Sequence, residues 1–263
     1  MSSTMKYRFR TFYQYRGLLN ELVTRDLKLK YRRSFLGYLW SILNPLLVMI
    51  VMTVVFSAMF KRNIKNFPVY LLCGRMTFDF LTASTNAAMN SVTGNQALLK
   101  KTYIPKYIFT LAKVTSSMVD YALSFGALLI VMIATRCPFH WTLILIPVMV
   151  CQVYIFCLGL GFILAELHVF FRDIRYIYRA ITTAWMYLTP IFYPIESLPL
   201  WLQVFIKYLN PMYYYVTELR EMVLEGKVPE PRLFWGGWVI ALAFLAIGLA
   251  AFQKNKDRFI LYI

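Results

Sequence analysis

The chain has 263 residues, of which 60% are hydrophobic, 17% aromatic and only 15% charged. A soluble domain carries about 25% charged residues; this deficit, with charges bunched between apolar runs, excludes an ordinary soluble globule and points to an all-α integral membrane protein. The net charge of +16 does not indicate nucleic-acid binding, because most basic residues flank apolar spans, where the positive-inside rule and anionic headgroups account for them.

Residues 1–38 are basic and aromatic and form the longest polar stretch, so a single membrane domain over 39–263 is expected behind them. Phe12, Tyr15, Leu19, Leu22 and Val23 recur at helical spacing with Arg16, Arg25 and Lys28 between them. That is the pattern of an amphipathic helix lying on a membrane surface, which is the expectation here; the alternative is an ordinary tail packed on its neighbours. No cleavable leader is expected, since no small-residue cleavage site precedes an apolar core.

Six spans are expected, at about 39–60, 67–90, 111–135, 141–165, 178–195 and 232–252. The first holds no ionisable side chain over its 22 residues, which at a rise of about 1.5 Å per residue reach ~33 Å, the hydrocarbon thickness of a bilayer. Water cannot satisfy backbone groups at that depth, so each span should be helical. With the N-terminus cytoplasmic, 19 of the 28 lysines and arginines fall on the inner side and eight outside, with Arg75 inside a span. Both termini are therefore expected in the cytoplasm.

Inside the second span, Arg75 and Asp79 stand four apart, on one helical face. They either neutralise each other or line a cavity that meets a polar or anionic substrate. Asp120 in the third span is a further partner for a basic group or a substrate. The next cytoplasmic loop, Gly94 to Val114, carries Leu98, Leu99, Lys100, Lys101, Tyr103, Ile104 and Pro105. It reads as a short helix stopped by proline that presents an apolar and basic knob, more than a connector needs. The following loop contains Phe171, Arg172 and Asp173; Arg172 and Asp173, being adjacent, are expected to pair with other elements.

From Tyr187 to Gly226 an aromatic stretch is interrupted by Pro190, Pro194, Pro199 and Pro211. Proline breaks helices, so a re-entrant pair of half-helices in the outer leaflet is expected, or else an outer loop with one surface helix. Tyr187, Phe192, Tyr193, Trp201, Tyr208, Tyr213, Tyr214 and Tyr215 form either an interfacial belt or flat faces suited to sugar rings.

Several chemistries are not supported. No phosphate-cradling GxxxxGK[ST] loop occurs, so no ATP site is expected on this chain. Gly159-Leu160-Gly161 lies in an apolar run and reads as helix packing, not dinucleotide binding. Cys73, Cys137, Cys151 and Cys157 have no metal-ligand spacing, and with only two histidines no metal site is expected. No catalytic constellation stands out. A transporter subunit, a membrane-embedded enzyme and an ion-coupled carrier all remain open on these residues.

Taken in order, Tyr38-Leu39-Trp40, Leu43-Asn44-Pro45, GNQALLKKTYIPKYI, FFRDIRYI, TPIFYPIESLP and YLNPMYYY make the chain resemble the permease subunit of an ABC-2 type exporter of cell-surface polysaccharides, of the O-antigen, capsule or teichoic-acid kind. The resemblance covers nearly the whole chain. It implies a homodimer of six-span subunits in a bacterial inner membrane, with two ATPase subunits holding ATP and Mg on the cytoplasmic face. It implies that Leu98 to Pro105 are similar to the coupling helix in the ATPase cleft, with Phe171, Arg172 and Asp173 at a second contact. Arg25, Lys28, Arg32 and Arg33 would then sit near the substrate entrance, with Arg75 and Asp79 along the channel. Tyr187, Pro190, Phe192, Tyr193, Pro194, Trp201, Asn210, Pro211, Tyr213 and Tyr214 would form the outer gate. The implied substrate is a lipid-linked glycan entering from the inner leaflet. Cys73-Gly74-Arg75-Met76-Thr77-Phe78-Asp79 departs from the apolar, Trp-rich stretch common in this family, which leaves the substrate's charge open.

Overall fold

The computed structural model describes residues 13–32, 34–60, 64, 66–101, 104–255 and 259. Among them the chain is all-helical and contains no strand. In chain order the helices are α1 (Arg16–Tyr31), α2 (Trp40–Phe60), α3 (Phe67–Met89), α4 (Gln96–Lys101), α5 (Tyr107–Ala134), α6 (Ile146–Phe170), α7 (Ile174–Leu188), α8 (Leu200–Leu209), α9 (Pro211–Arg220) and α10 (Pro231–Asn255). Single 3-10 turns lead into α2 and α6, and a π turn (Glu221–Glu225) ends α9.

Four helical stretches are long and apolar enough to cross a bilayer: Gly37–Phe56, Tyr107–Ala134, Trp141–Phe170 and Pro231–Asn255. α3 has the length, 23 residues, but carries Arg75, Asp79 and a run of hydroxyls. Those hydroxyls are buried and satisfied by their own helix: Thr77 donates to the Cys73 carbonyl at 2.8 Å, Ser84 to Phe80 at 2.6 Å and Thr85 to Leu81 at 2.6 Å. Back-bonding of this kind lets a polar helix occupy an apolar core without an unpaired group. α3 is accordingly central, packed by α2, α5, α6 and α9.

The expected spans align with these helices to within a few residues, with one exception. The fifth, expected over 178–195, is a helix only from Ile174 to Leu188. At about 1.5 Å per residue its 15 residues reach ~22 Å, short of the ~30 Å hydrocarbon core. Thr189-Pro190 ends it, because the residue before proline is pushed out of the helical region.

The Gly159-Leu160-Gly161 reading as helix packing is borne out. A Cβ on Gly159 would overlap the backbone of Phe244 and Leu245, and one on Gly248 would overlap the Gly159 carbonyl, so α6 and α10 meet backbone to backbone. Gly161 lies as close to Ala88 of α3, where an added Cβ would stand 2.9 Å from the alanine methyl. Small residues permit this approach between helices that have no hydrophobic drive in lipid.

The apolar face of α1 packs on a neighbouring helix. Tyr15, Leu18, Leu19, Leu22 and Val23 face Ile108, Phe109 and Ala112 of α5, and Arg16, Arg25 and Lys28 lie on the exposed side. Two ion pairs fasten it to α5: Lys113 Nζ to Asp26 Oδ2 at 2.9 Å and Lys30 Nζ to Asp120 Oδ2 at 2.8 Å. α2, by contrast, buries only Met49 among its described side chains; Leu47, Ile50, Val51, Val54 and Val55 point outward.

Candidate functional site

Three features carry chemistry: a pair of loops at one end, a polar cavity within the helices, and a pinned non-helical segment toward the other end.

At the first end, residues 96–101 form the expected short helix, α4. Its leucines are only partly presented outward. Leu98, Leu99 and Ile104 are half-buried against α1 and the start of α5, while Lys100 is exposed. Lys101 belongs to the helix, and Tyr103 lies outside the described residues. The second loop differs. Phe171 is 66% exposed, and Arg172 and Asp173 flank it in solvent. The expected pairing of these two charges is corrected: neither makes an ion pair among the described residues. They sit at the turn between α6 and α7, where Asp173 precedes the first helical residue. The two loops belong to one surface. Lys106 Nζ lies 5.3 Å from the ring centre of Phe259, which is fully buried and stacks edge-on against Phe170 at 5.8 Å.

Between α1, α2, α3 and α5 lies a cavity of about 570 Å³. Four charges line it. Arg75 Nε donates to Asp79 Oδ2 at 2.9 Å, and Lys30 pairs with Asp120 as above. Ser41 adds a bond from Oγ to Asp120 Oδ1 at 3.2 Å. Trp40, Asn44 and Asn86 complete the wall. The helical spacing of Arg75 and Asp79 therefore produced both outcomes the sequence left open: they neutralise each other and they face a cavity. Arg25, Lys28 and Arg32 are exposed on and just beyond α1; Arg33 lies outside the described residues.

At the other end the interrupted aromatic stretch becomes α7, a turn-rich segment 189–199, α8 and α9. Asn210 joins them. Its Oδ1 accepts from Met212 N at 3.0 Å, capping α9, and from Trp185 Nε1 at 2.7 Å; its Nδ2 donates to Thr189 Oγ1 at 3.0 Å. An N-cap asparagine followed by Pro211 at the first helical position is a strong helix start, so one residue both opens α9 and anchors the end of α7.

Arg220, which the sequence reading counted merely among the outer charges, is buried here. Nη1 donates to Pro190 O at 2.7 Å, Nη2 to Ile191 O at 3.2 Å, and Nε and Nη2 to Tyr70 O at 3.2 Å each. The guanidinium lies 3.4 Å above the Tyr70 ring. Tyr70 in turn donates from its hydroxyl to Tyr193 O at 2.9 Å and Pro190 O at 3.3 Å. Gly74 makes room, since a Cβ there would stand 2.8 Å from Nη2. The legible signal was an arginine inside YYYVTELREMVL, where most neighbours must be buried.

The aromatic residues separate into two sets. Tyr187, Trp201 and Tyr208 are exposed, as a surface or lining role requires. Phe192, Tyr214 and Tyr215 are buried in the packing, and Pro190 with them, so they are core and not lining. Tyr193, Pro194, Pro211 and Tyr213 are half-buried. A second cavity of about 630 Å³ opens beside this segment, walled by Tyr70, Tyr213, Arg220, Arg136, Glu196 and Glu221. Burial raises the Glu221 carboxyl above its ordinary range, against the opposing bond from Glu230 N at 3.2 Å.

Comparison with known proteins identifies a family. A model described as "ABC-2 type transporter" matches residues 18–224. The O-antigen export system permease protein RfbA of Myxococcus xanthus is 30% identical over 251 residues, covering 95% of this chain and 96% of that protein. RfbA of Klebsiella pneumoniae is 28% identical, with 98% of each chain covered. The polysialic acid transport protein KpsM of Escherichia coli is 23% identical, covering 90% of this chain and 92% of its own length.

Proposed function

The chain belongs to the ABC-2 type transporter family, and from that premise we propose that it is the permease subunit of an ATP-driven exporter of a cell-surface polysaccharide, of O-antigen or capsule type. The observation that carries this reading is the end-to-end match to an O-antigen export permease at 30% identity. ATP hydrolysis belongs to a separate subunit, which holds ATP and Mg. The assembly is two permeases with two ATPases in the inner membrane, and the cargo is a lipid-linked glycan. Family membership favours this over a membrane-embedded enzyme or an ion-coupled carrier.

In this reading α2, α3, α5, α6, α7 and α10 make six crossings, with both termini in the cytoplasm. Residues 1–38 form an N-terminal segment and 39–263 the transmembrane domain. α7 is too short to cross alone, and residues 189–194 complete its path. Non-helical backbone at membrane depth must be satisfied by protein. The bonds from Arg220 and Tyr70 to the carbonyls of Pro190, Ile191 and Tyr193 supply that condition. α8 and α9 are then the re-entrant half-helices of the outer gate, with Tyr187 and Trp201 toward the glycan or lipid.

On the cytoplasmic face, α4 with Lys100 and the exposed Phe171-Arg172-Asp173 turn are the two ATPase contacts. Burial of Leu98 and Leu99 against α1 ties the first contact to the N-terminal helix, so a push on α4 moves α1 and α5 together. The basic exposed side of α1, with Arg25, Lys28 and Arg32, and the Arg75–Asp79 cavity lie along the route from the inner leaflet.

The test is affinity purification of the full chain in mild detergent beside its chromosomal neighbours, followed by reconstitution. An ATP-binding subunit should be recovered, and export should need it. Phe171→Glu and Lys100→Glu should abolish glycan export while leaving a folded permease. Vesicles that export glycan with this chain as the sole protein would overturn the reading, as would full export in both variants for the docking surface.

A further inference from the structure

We infer that the cavity between α1, α2, α3 and α5 is a sugar-binding subsite, taking an uncharged pyranose unit of the glycan and not the phosphate of its lipid carrier. The inference rests on the exporter reading and names what that entrance recognises.

Charge balance is the first argument. Among the described residues the cavity holds two cations, and each is engaged by a carboxylate: Lys30 by Asp120 at 2.8 Å and Arg75 by Asp79 at 2.9 Å. The described wall is formally balanced. A phosphate or diphosphate would have to approach two carboxylates and compete with them for Lys30 and Arg75, and drawing either cation away would leave its carboxylate uncompensated, the costly outcome in a low dielectric. An anion site built for this position would show surplus arginine and backbone donors.

The second argument is what the wall offers. A pyranose presents hydroxyls around its edge and C–H groups on its faces. Asp79 keeps 44% of its side chain exposed while paired, so an acceptor remains for sugar hydroxyls; bonds to a charged acceptor are the stronger kind. The Asn44 amide lines the same wall and makes no hydrogen bond among the described residues, leaving a donor and an acceptor. Trp40, half-exposed at the same cavity, supplies a flat apolar face for the C–H side of the ring. The volume of about 570 Å³ falls in the range of small-molecule sites. Carboxylate, amide and indole in a charge-balanced wall are a set for a neutral polyol.

The third argument is position. Lys30 and Asp120 join the C-terminal turn of α1 to the middle of α5, and Ser41 ties the start of α2 to the same carboxylate. A ligand held by Asp79, Asn44 and Trp40 therefore touches α3 and α2 beside the tie that fixes α1. Occupancy at this point is felt by the helix that packs on α4.

The experiment uses the full chain in lipid nanodiscs and saturation-transfer NMR. The probes are the methyl glycosides of glucose, galactose, mannose and N-acetylglucosamine, with inorganic pyrophosphate as competitor. In the wild type at least one glycoside should show transfer to its ring C–H protons, undiminished by pyrophosphate. Trp40→Leu should weaken glycoside binding about tenfold or more without admitting pyrophosphate. Asp79→Asn should weaken it similarly and, by releasing Arg75, create pyrophosphate binding that the wild type lacks. The inference is overturned if the wild type gives no glycoside transfer, if pyrophosphate displaces the glycoside from it, or if both variants bind as the wild type does. Recovery of the ATPase subunit reads the exporter proposal separately and is unaffected by any of these results.

Discussion

Replacing Arg220 with methionine removes the pin that holds residues 190–191 against α3. Methionine keeps an unbranched side chain of comparable reach, so the change isolates the guanidinium. The Tyr70 carbonyl already accepts its helical bond and loses little. Pro190 O keeps the longer bond from the Tyr70 hydroxyl at 3.3 Å but loses the 2.7 Å charge-assisted one, and Ile191 O loses its bond at 3.2 Å. Bonds to a charged group are worth about 1.5–3 kcal/mol each, and the Tyr70 ring adds about 1–2 kcal/mol of cation–π attraction. Against this stands the relief of no longer burying a cation. The balance is a loss of about 3–5 kcal/mol, concentrated in the segment that follows α7. The assay is thermal unfolding of the detergent-solubilised chain together with limited proteolysis between residues 188 and 200. Taking roughly 2–4 °C per kcal/mol, the midpoint should fall by about 10 °C, with new cleavage in that segment. Arg220→Lys keeps the charge but not the fork, reaches fewer carbonyls, and should fall between the two. A methionine variant with an unchanged midpoint and an uncut segment would refute the pin, whatever happened to export.

Gly248→Val places two methyls where the Gly159 carbonyl already fills the space; α6 and α10 must part, and the variant should be recovered in low yield or aggregated on size exclusion, whereas Gly17→Ala, with open space around it, should behave as wild type. Glu221 is a carboxyl whose pKa burial raises in the folded state. Its neutral form suits the fold and its charged form does not, so stability at this residue declines as pH rises through the shifted value. The unfolding midpoint of Glu221→Gln, measured from about pH 4 to about pH 7, should therefore lose less with rising pH than the wild type does; equal slopes would remove the argument.

Most of the fold was legible because the bilayer imposes one rule. Segments of about twenty apolar residues must be helices, and α2, α5, α6 and α10 follow from composition alone. α3 was legible for a different reason: its length and apolar background outweighed Arg75, Asp79 and the hydroxyls that its own carbonyls satisfy. The end of α7 was legible only in part. Pro190 marks an interruption, but the expected fifth span runs through it to 195, and the helix stops at Leu188. A hydropathy window averages over the proline, while the backbone breaks at it.

The site divides along the same line. Whatever depended on spacing within one helix was read: Arg75 with Asp79, and the short helix before Pro105. The asparagine and proline that open α9 are a local signal too, but were read only as an interruption. Whatever depended on where helices meet was not legible. Lys30 and Asp120 are 90 positions apart, and Arg220 stands 150 positions from Tyr70; no local pattern links either pair. The two cases obey one constraint, because a charge at membrane depth is tolerated only where the fold has brought it a partner. Lys30 and Arg75 found carboxylates, Asp120 and Asp79, across or along the helices that wall the cavity. Arg220 found carbonyls, and the carbonyls it found are those a broken helix would otherwise leave unsatisfied. The short α7 and the buried arginine are thus one structural solution: the guanidinium bonds carbonyls that the break at Pro190 leaves without helical partners, and the break supplies acceptors that a buried guanidinium needs.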